Sequence, residues 1–179
     1  MEAGGSFALL LFWRLCTPLV FRATPFYWLV GETAKAVTGD PALVNDTVFP
    51  ALGGLQEPLR ARFGDIEQTI QGTRLVSRVG LSVLDGALSV TLVTTARIIS
   101  SDDPSIARVV VESSRVCDTP VPLLDTVDVP VEAFFDGLAA ALTATAGRAP
   151  ATPTITTRFV GERVRATEVD GVVMMFERV

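Results

Sequence analysis

The stretch "RLVSRVGLSVLDGALSVTLVTTARII", residues 74–99, decides the fold. Leu75, Val79, Leu81 and Val83 alternate with Arg78 and Ser82, and after Asp85-Gly86 the residues Leu88, Val90, Leu92 and Ile98 alternate with Ser89, Thr91, Thr95 and Arg97. A period of two is that of a strand with one buried face. An Asp-Gly pair between two such runs is hairpin chemistry, because both residues tolerate the positive φ that a tight turn needs. The pattern continues on both sides. Upstream, "GDIEQTIQG" sets Ile66, Gln68 and Ile70 against Glu67, Thr69 and Gln71; downstream, the polar turn "SSDDPS" leads into the β-branched run "IARVVVESSRV". Residues 64–116 therefore read as a meander of antiparallel strands joined by short turns.

The end of the chain repeats the chemistry. Strands are expected near 153–160, 162–168 and 172–178, the last two joined at Asp170-Gly171, and one more over about 6–15. Helical spacing is confined to short segments. Residues 26–37 could place Phe26, Leu29, Val30, Thr33 and Val37 on one face, and residues 131–142 could do so with Val131, Phe134, Phe135, Leu138 and Leu142 behind Pro130. A third helix is expected at 41–48 after Asp40. The expected fold is mainly β: an antiparallel barrel of about eight strands with two or three short helices, in a single domain spanning 1–179.

Composition narrows the function classes. Histidine is absent, which removes the commonest general base and metal ligand together. The net charge is −5, so the chain lacks the basic face that nucleic-acid phosphates require. Cys16 and Cys117 are too far apart in sequence for a zinc knuckle or a Cys-x-x-Cys motif; a disulfide is one reading and two buried free thiols the favoured one. Apolar residues make up 49% of the chain. Even so, "FALLLFWRLCTPLVFRATPFYWLV", residues 7–30, is interrupted by Arg14, Pro18, Arg22 and Pro25 and reads as non-spanning. The opening Met1-Glu2-Ala3 lacks a basic n-region, so any targeting segment is expected to lie outside these residues.

Several segments together resemble the plastid lipid-associated proteins, also called plastid fibrillins. "FVGERVR" (159–165) and "DGVVMMFER" (170–178) are similar to that family's closing strand, hairpin and last strand; "TPFYW" (24–28) resembles its Ser-Pro-Phe-Phe-Trp segment. "QTIQGTRLVSRVGLSV", "GSFALLL" and "LLDTVDVPVEAFF" resemble its Gln-Thr-Ile strand, its opening strand and the loop before its late helix, all in the family's order. The chain departs from the pattern where Phe7 replaces the opening tryptophan, Gly161-Glu162 the acidic pair, and Glu168 the second arginine. The resemblance implies a lipocalin-like barrel at the thylakoid or plastoglobule surface of the chloroplast. It also implies a non-enzymatic role in binding or organising apolar lipids, with no required cofactor and with a lipid, prenylquinone or carotenoid pigment as the implied guest.

Leu81, Val83, Leu88, Val90, Leu92, Val109, Val111, Met174 and Phe176 are the residues expected to line a ligand cavity, although the same residues would serve as packed core in a barrel filled by its own side chains. Phe21, Arg22, Phe26, Tyr27 and Trp28 are candidates for contact with a membrane, since Trp and Tyr join an apolar ring to a polar tip. The alternative is that this cluster docks the protein, as an accessory subunit, on a photosynthetic membrane complex. Arg165 beneath Phe7 would close the barrel floor, a cation over a ring. Asp102, Asp103, Asp125 and Asp128 sit among Pro, Ser and Thr and read as solvated turns, not as an acid–base pair.

Overall fold

The computed structural model describes residues 11–15, 24–38, 62–83, 86–122, 125, 128–147, 149–169 and 171–179. The strands are β1 (Leu11–Leu15), β2 (Arg62–Gln71), β3 (Arg74–Val83), β4 (Leu88–Ser100), β5 (Ile106–Cys117), β6 (Asp128–Val129), β7 (Thr154–Val160), β8 (Val164–Val169) and β9 (Val172–Arg178). The helices are α1 (Pro25–Thr38) and α2 (Val131–Ala146). Residues 64–116 form the expected meander, and the terminal hairpin is β8–β9. Gly86 and Gly171 hold φ of 92° and 77° in the two Asp-Gly turns, a region where a Cβ is unfavourable. The helix expected at 41–48 lies outside the described residues.

Pairing runs β1-β2-β3-β4-β5-β7-β8-β9, and β9 returns to β1, so eight antiparallel strands close into a barrel while β6 lies against β5 as an extra strand. Register slips between Phe63 and Ile66, Thr95 and Ala96, and Thr157 and Phe159 bend the sheet enough to close. The wall is not uniform. The β3–β4 ladder runs from Arg74↔Arg97 to Val83↔Leu88, whereas β5 meets β7 only at Ile106–Arg108 and meets β6 only at Ser114 and Arg115. Between those two contacts the amide of Val109 donates instead to the carbonyl of Pro153, at 2.8 Å.

The core follows the alternation. Ile66, Leu75, Val79, Ala96, Val109, Val111, Ile155, Val169, Met174 and Phe176 are buried from seven strands, with Trp28, Leu29 and Val131 added from the two helices. Fully burying a side chain of this size contributes roughly 1.5–3 kcal/mol relative to exposure. Helix α1 packs on β4, β5 and α2, and α2 packs on β5. Pro25 occupies the first turn of α1, where its missing N–H has no intrahelical partner to lose. Of the face read from the sequence, α1 buries Leu29 and half-buries Thr33, but Val37 is 57% exposed, and Trp28 and Ala36 complete the buried stripe. Helix α2 buries Val131 and half-buries Phe135, Leu138 and Leu142, and it stops at Gly147, whose left-handed φ of 67° lets its N–H reach the carbonyl of Thr143. No helix among the described residues is long and apolar enough to cross a membrane.

Candidate functional site

The inner face of β2–β5 is built in rows of register partners. Leu81 pairs with Val90 and Val79 with Leu92; Ser77 pairs with Thr94, and Leu75 with Ala96. The expected wall residues therefore share one face, but they differ in access. Val109, Val111, Met174 and Phe176 are fully packed, whereas Leu81, Leu88, Val90 and Leu92, towards the β3–β4 hairpin, remain half-buried. The Val83 side chain lies outside the described set. One half of the interior is core, and in the other Leu81 and Leu92 are half-buried and pack against that core.

Between the two halves runs a polar row. Gln68 pairs with Ser77, Ser77 with Thr94 and Thr94 with Ser114, and all four side chains are buried. The Thr94 and Ser114 hydroxyls bond each other at 2.7 Å. From the opposite wall Arg165 reaches in and donates through Nη2 to Gln68 Oε1 at 2.5 Å. Its guanidinium lies 4.5 Å from the Phe176 ring centroid and 5.3 Å from that of Trp13, within the range of cation–π attraction. Burial pushes the Arg165 guanidinium down to about 10, so it stays charged at neutral pH.

One expectation falls outside the described residues and another is corrected. The described rings beneath Arg165 are Trp13 and Phe176; Phe7, expected in that place, lies outside the described residues. Trp28, expected on a membrane or partner surface, is 3% exposed: its position on α1 turns the indole into the shared core. Phe21 and Arg22 are outside the described residues, as are the side chains of Phe26 and Tyr27. The exposed apolar side chains of the outer wall are elsewhere. Phe159, Ala166 and Met175 are register partners across β7, β8 and β9, and Phe159 is 56% exposed.

Three further hollows border the fold. A cleft of about 110 Å³ lies where β5 loses its strand neighbour, against Leu29, Val110, Phe135, Ala139 and Pro153. A cavity of about 120 Å³ touches Trp13 and Gln68. A depression of about 270 Å³ is lined by Leu81 and Val90 together with Gly64, Gly80, Ser82, Ser89, Thr91 and Asp118. Asp103 accepts from the hydroxyl and amide of Ser105, and those bonds hold its carboxyl below the usual range; Asp125 and Asp128 are exposed. Among the described residues no cluster could hold a metal ion. Cys117 is a half-buried free thiol, and Cys16 is outside the described residues.

Gln68, Ser77, Thr94 and Ser114 were not among the site residues read from the sequence. Their signal was there: each is a polar side chain at an inward position of an alternating strand, Gln68 between Ile66 and Ile70, Ser77 between Leu75 and Val79. The chain matches no protein-family model, and no curated protein matches it.

Proposed function

We propose that this protein is a non-enzymatic binder or organiser of apolar lipid, which takes one hydrocarbon guest inside its barrel and works at a thylakoid or plastoglobule surface. The observation that carries the reading is the half-buried inward lining of Leu81, Leu88, Val90 and Leu92 in a closed eight-strand wall. Small antiparallel barrels hold one small ligand when their own side chains do not fill them. Removing a guest's apolar surface from water contributes roughly 25 cal/mol per Å². The order of plastid lipid-associated motifs along the chain supports the plastid setting. The alternative, an accessory subunit docked on a photosynthetic membrane complex, named Phe26 and Trp28 as central anchors; Trp28 is part of the core, and the Phe26 side chain lies outside the described residues.

The test is Val90→Phe, which enlarges a wall residue whose register partner is Leu81. Protein purified natively with this change should lose co-purifying lipid while its circular dichroism and membrane association are retained. Unchanged lipid content in a folded variant would remove the barrel interior from the argument.

A further inference from the structure

The polar row contains three atoms that have no hydrogen-bond partner among the described residues: Trp13 Nε1, Ser77 Oγ and Arg165 Nε. They surround one side chain. Trp13 and Ser77 are the register partners of Gln68 on either side, and Arg165 donates to its amide oxygen. All three residues are more than nine-tenths buried. An unpaired buried polar group is costly, and this set has one sign. An indole N–H and a guanidinium N–H can only donate, and a hydroxyl can donate as well as accept. The missing partner is therefore an acceptor.

Charge sharpens the identity. Arg165 has no carboxylate partner among the described residues, whereas Arg14, Arg78, Arg97 and Arg158 all have one on the outer surface. A buried cation without a counter-ion favours an anion over a neutral acceptor. A cavity of about 120 Å³, bordered by Glu67 and Val179, reaches this row at Trp13 and Gln68; Glu67 is engaged by Arg14 at 3.3 Å. Distance fits as well. Leu81 lies four residues along β3 from Ser77, about 13 Å at a strand rise of 3.3 Å, so an acceptor at the polar row can trail a medium-length chain along the half-buried lining.

We infer that the guest of this barrel is an apolar acid, whose carboxylate accepts hydrogen bonds from Arg165, Ser77 and Trp13 and whose hydrocarbon lies against Leu92, Val90, Leu88 and Leu81. This rests on the barrel-binding reading and narrows it, since a carotenoid or a prenylquinone carries no such charge.

The experiment compares two probes of equal length, dodecanoate and dodecan-1-ol, titrated calorimetrically into delipidated protein. The acid should bind tenfold or more tightly than the alcohol, the usual scale of a charge-assisted hydrogen bond. Arg165→Met should abolish that preference while leaving the alcohol's affinity in place, and Ser77→Ala should reduce it. If Arg165→Met fails to fold, the unaltered protein and Ser77→Ala decide the matter. Equal binding of acid and alcohol, or a preference untouched by these variants, overturns the carboxylate site and leaves the barrel-binding reading standing. Failure of both probes to bind overturns the two together.

Discussion

Replacing Thr94 by valine leaves the shape of the barrel wall almost unchanged and removes one partner of a buried hydroxyl pair. Thr94 is 2% exposed and Ser114 6%, and their oxygens are 2.7 Å apart. With valine in place, the Ser114 hydroxyl keeps its desolvation cost and loses its bond, which destabilises by about 1–3 kcal/mol. Ser114→Ala strands Thr94 in the same way and by a similar amount. The double variant strands neither, so it should cost less than about 1 kcal/mol, well below the sum of the singles. For a chain of this length each kcal/mol corresponds to about 2–4 °C in Tm. Urea denaturation of the four proteins at neutral pH gives the cycle directly. Additivity within about 0.5 kcal/mol would mean that the two hydroxyls do not depend on each other, and the polar row could not be treated as a connected feature.

Two other outcomes follow from the surroundings of single side chains. Met174 is fully buried and Met175 is 45% exposed, so Met174→Ala should cost about 2–5 kcal/mol in thermal or urea unfolding while Met175→Ala stays within about 0.5 kcal/mol; equal effects would contradict the register of β9. Glu168 is held below the ordinary carboxylate range by its hydrogen bond from Arg158, at 2.6 Å, so it contributes stability above its unfolded-state value that is lost as pH falls through the depressed one. Glu168→Gln should flatten the acid limb of the stability–pH curve. An NMR titration that finds Glu168 at its ordinary value would dispose of that contribution.

Much of the barrel could be read from period and turn chemistry because both are local. The alternation in 74–99 and the two Asp-Gly pairs place β3, β4, β8 and β9 with little dependence on the rest of the chain. The sharing of one β5 edge by β6 and β7 left no local trace, since β6 is only two residues long and β7 pairs with β5 across a long stretch of chain, Arg108 with Thr154 and Ile106 with Thr156. Helix α1 shows a different limit: Phe26, Tyr27, Trp28, Leu29 and Val30 are consecutive apolar residues, and such a run carries no period that says which of them face inward. Trp13 beneath Arg165 was not read from the sequence for a related reason. Residues 7–13 are apolar on both faces; the charged neighbour Arg14 was the cue that Trp13 points into the barrel. The polar row was legible but went unread, because inward polar residues look like noise on an apolar stripe until their rows are aligned across four strands.

The uneven ladders give the wall a mechanical character. Among the described residues the thinnest ladders of the closed wall are β1–β9 and β5–β7, with three register pairs each, next to four in β1–β2 and in β7–β8 and ten in β3–β4. Local opening follows the fewest broken hydrogen bonds, so the wall parts at one of these thin ladders before the β3–β4 ladder frays. A molecule too bulky to pass the hairpin end would cross the wall there, along the same β5 edge on which Pro153 already stands in for a missing strand.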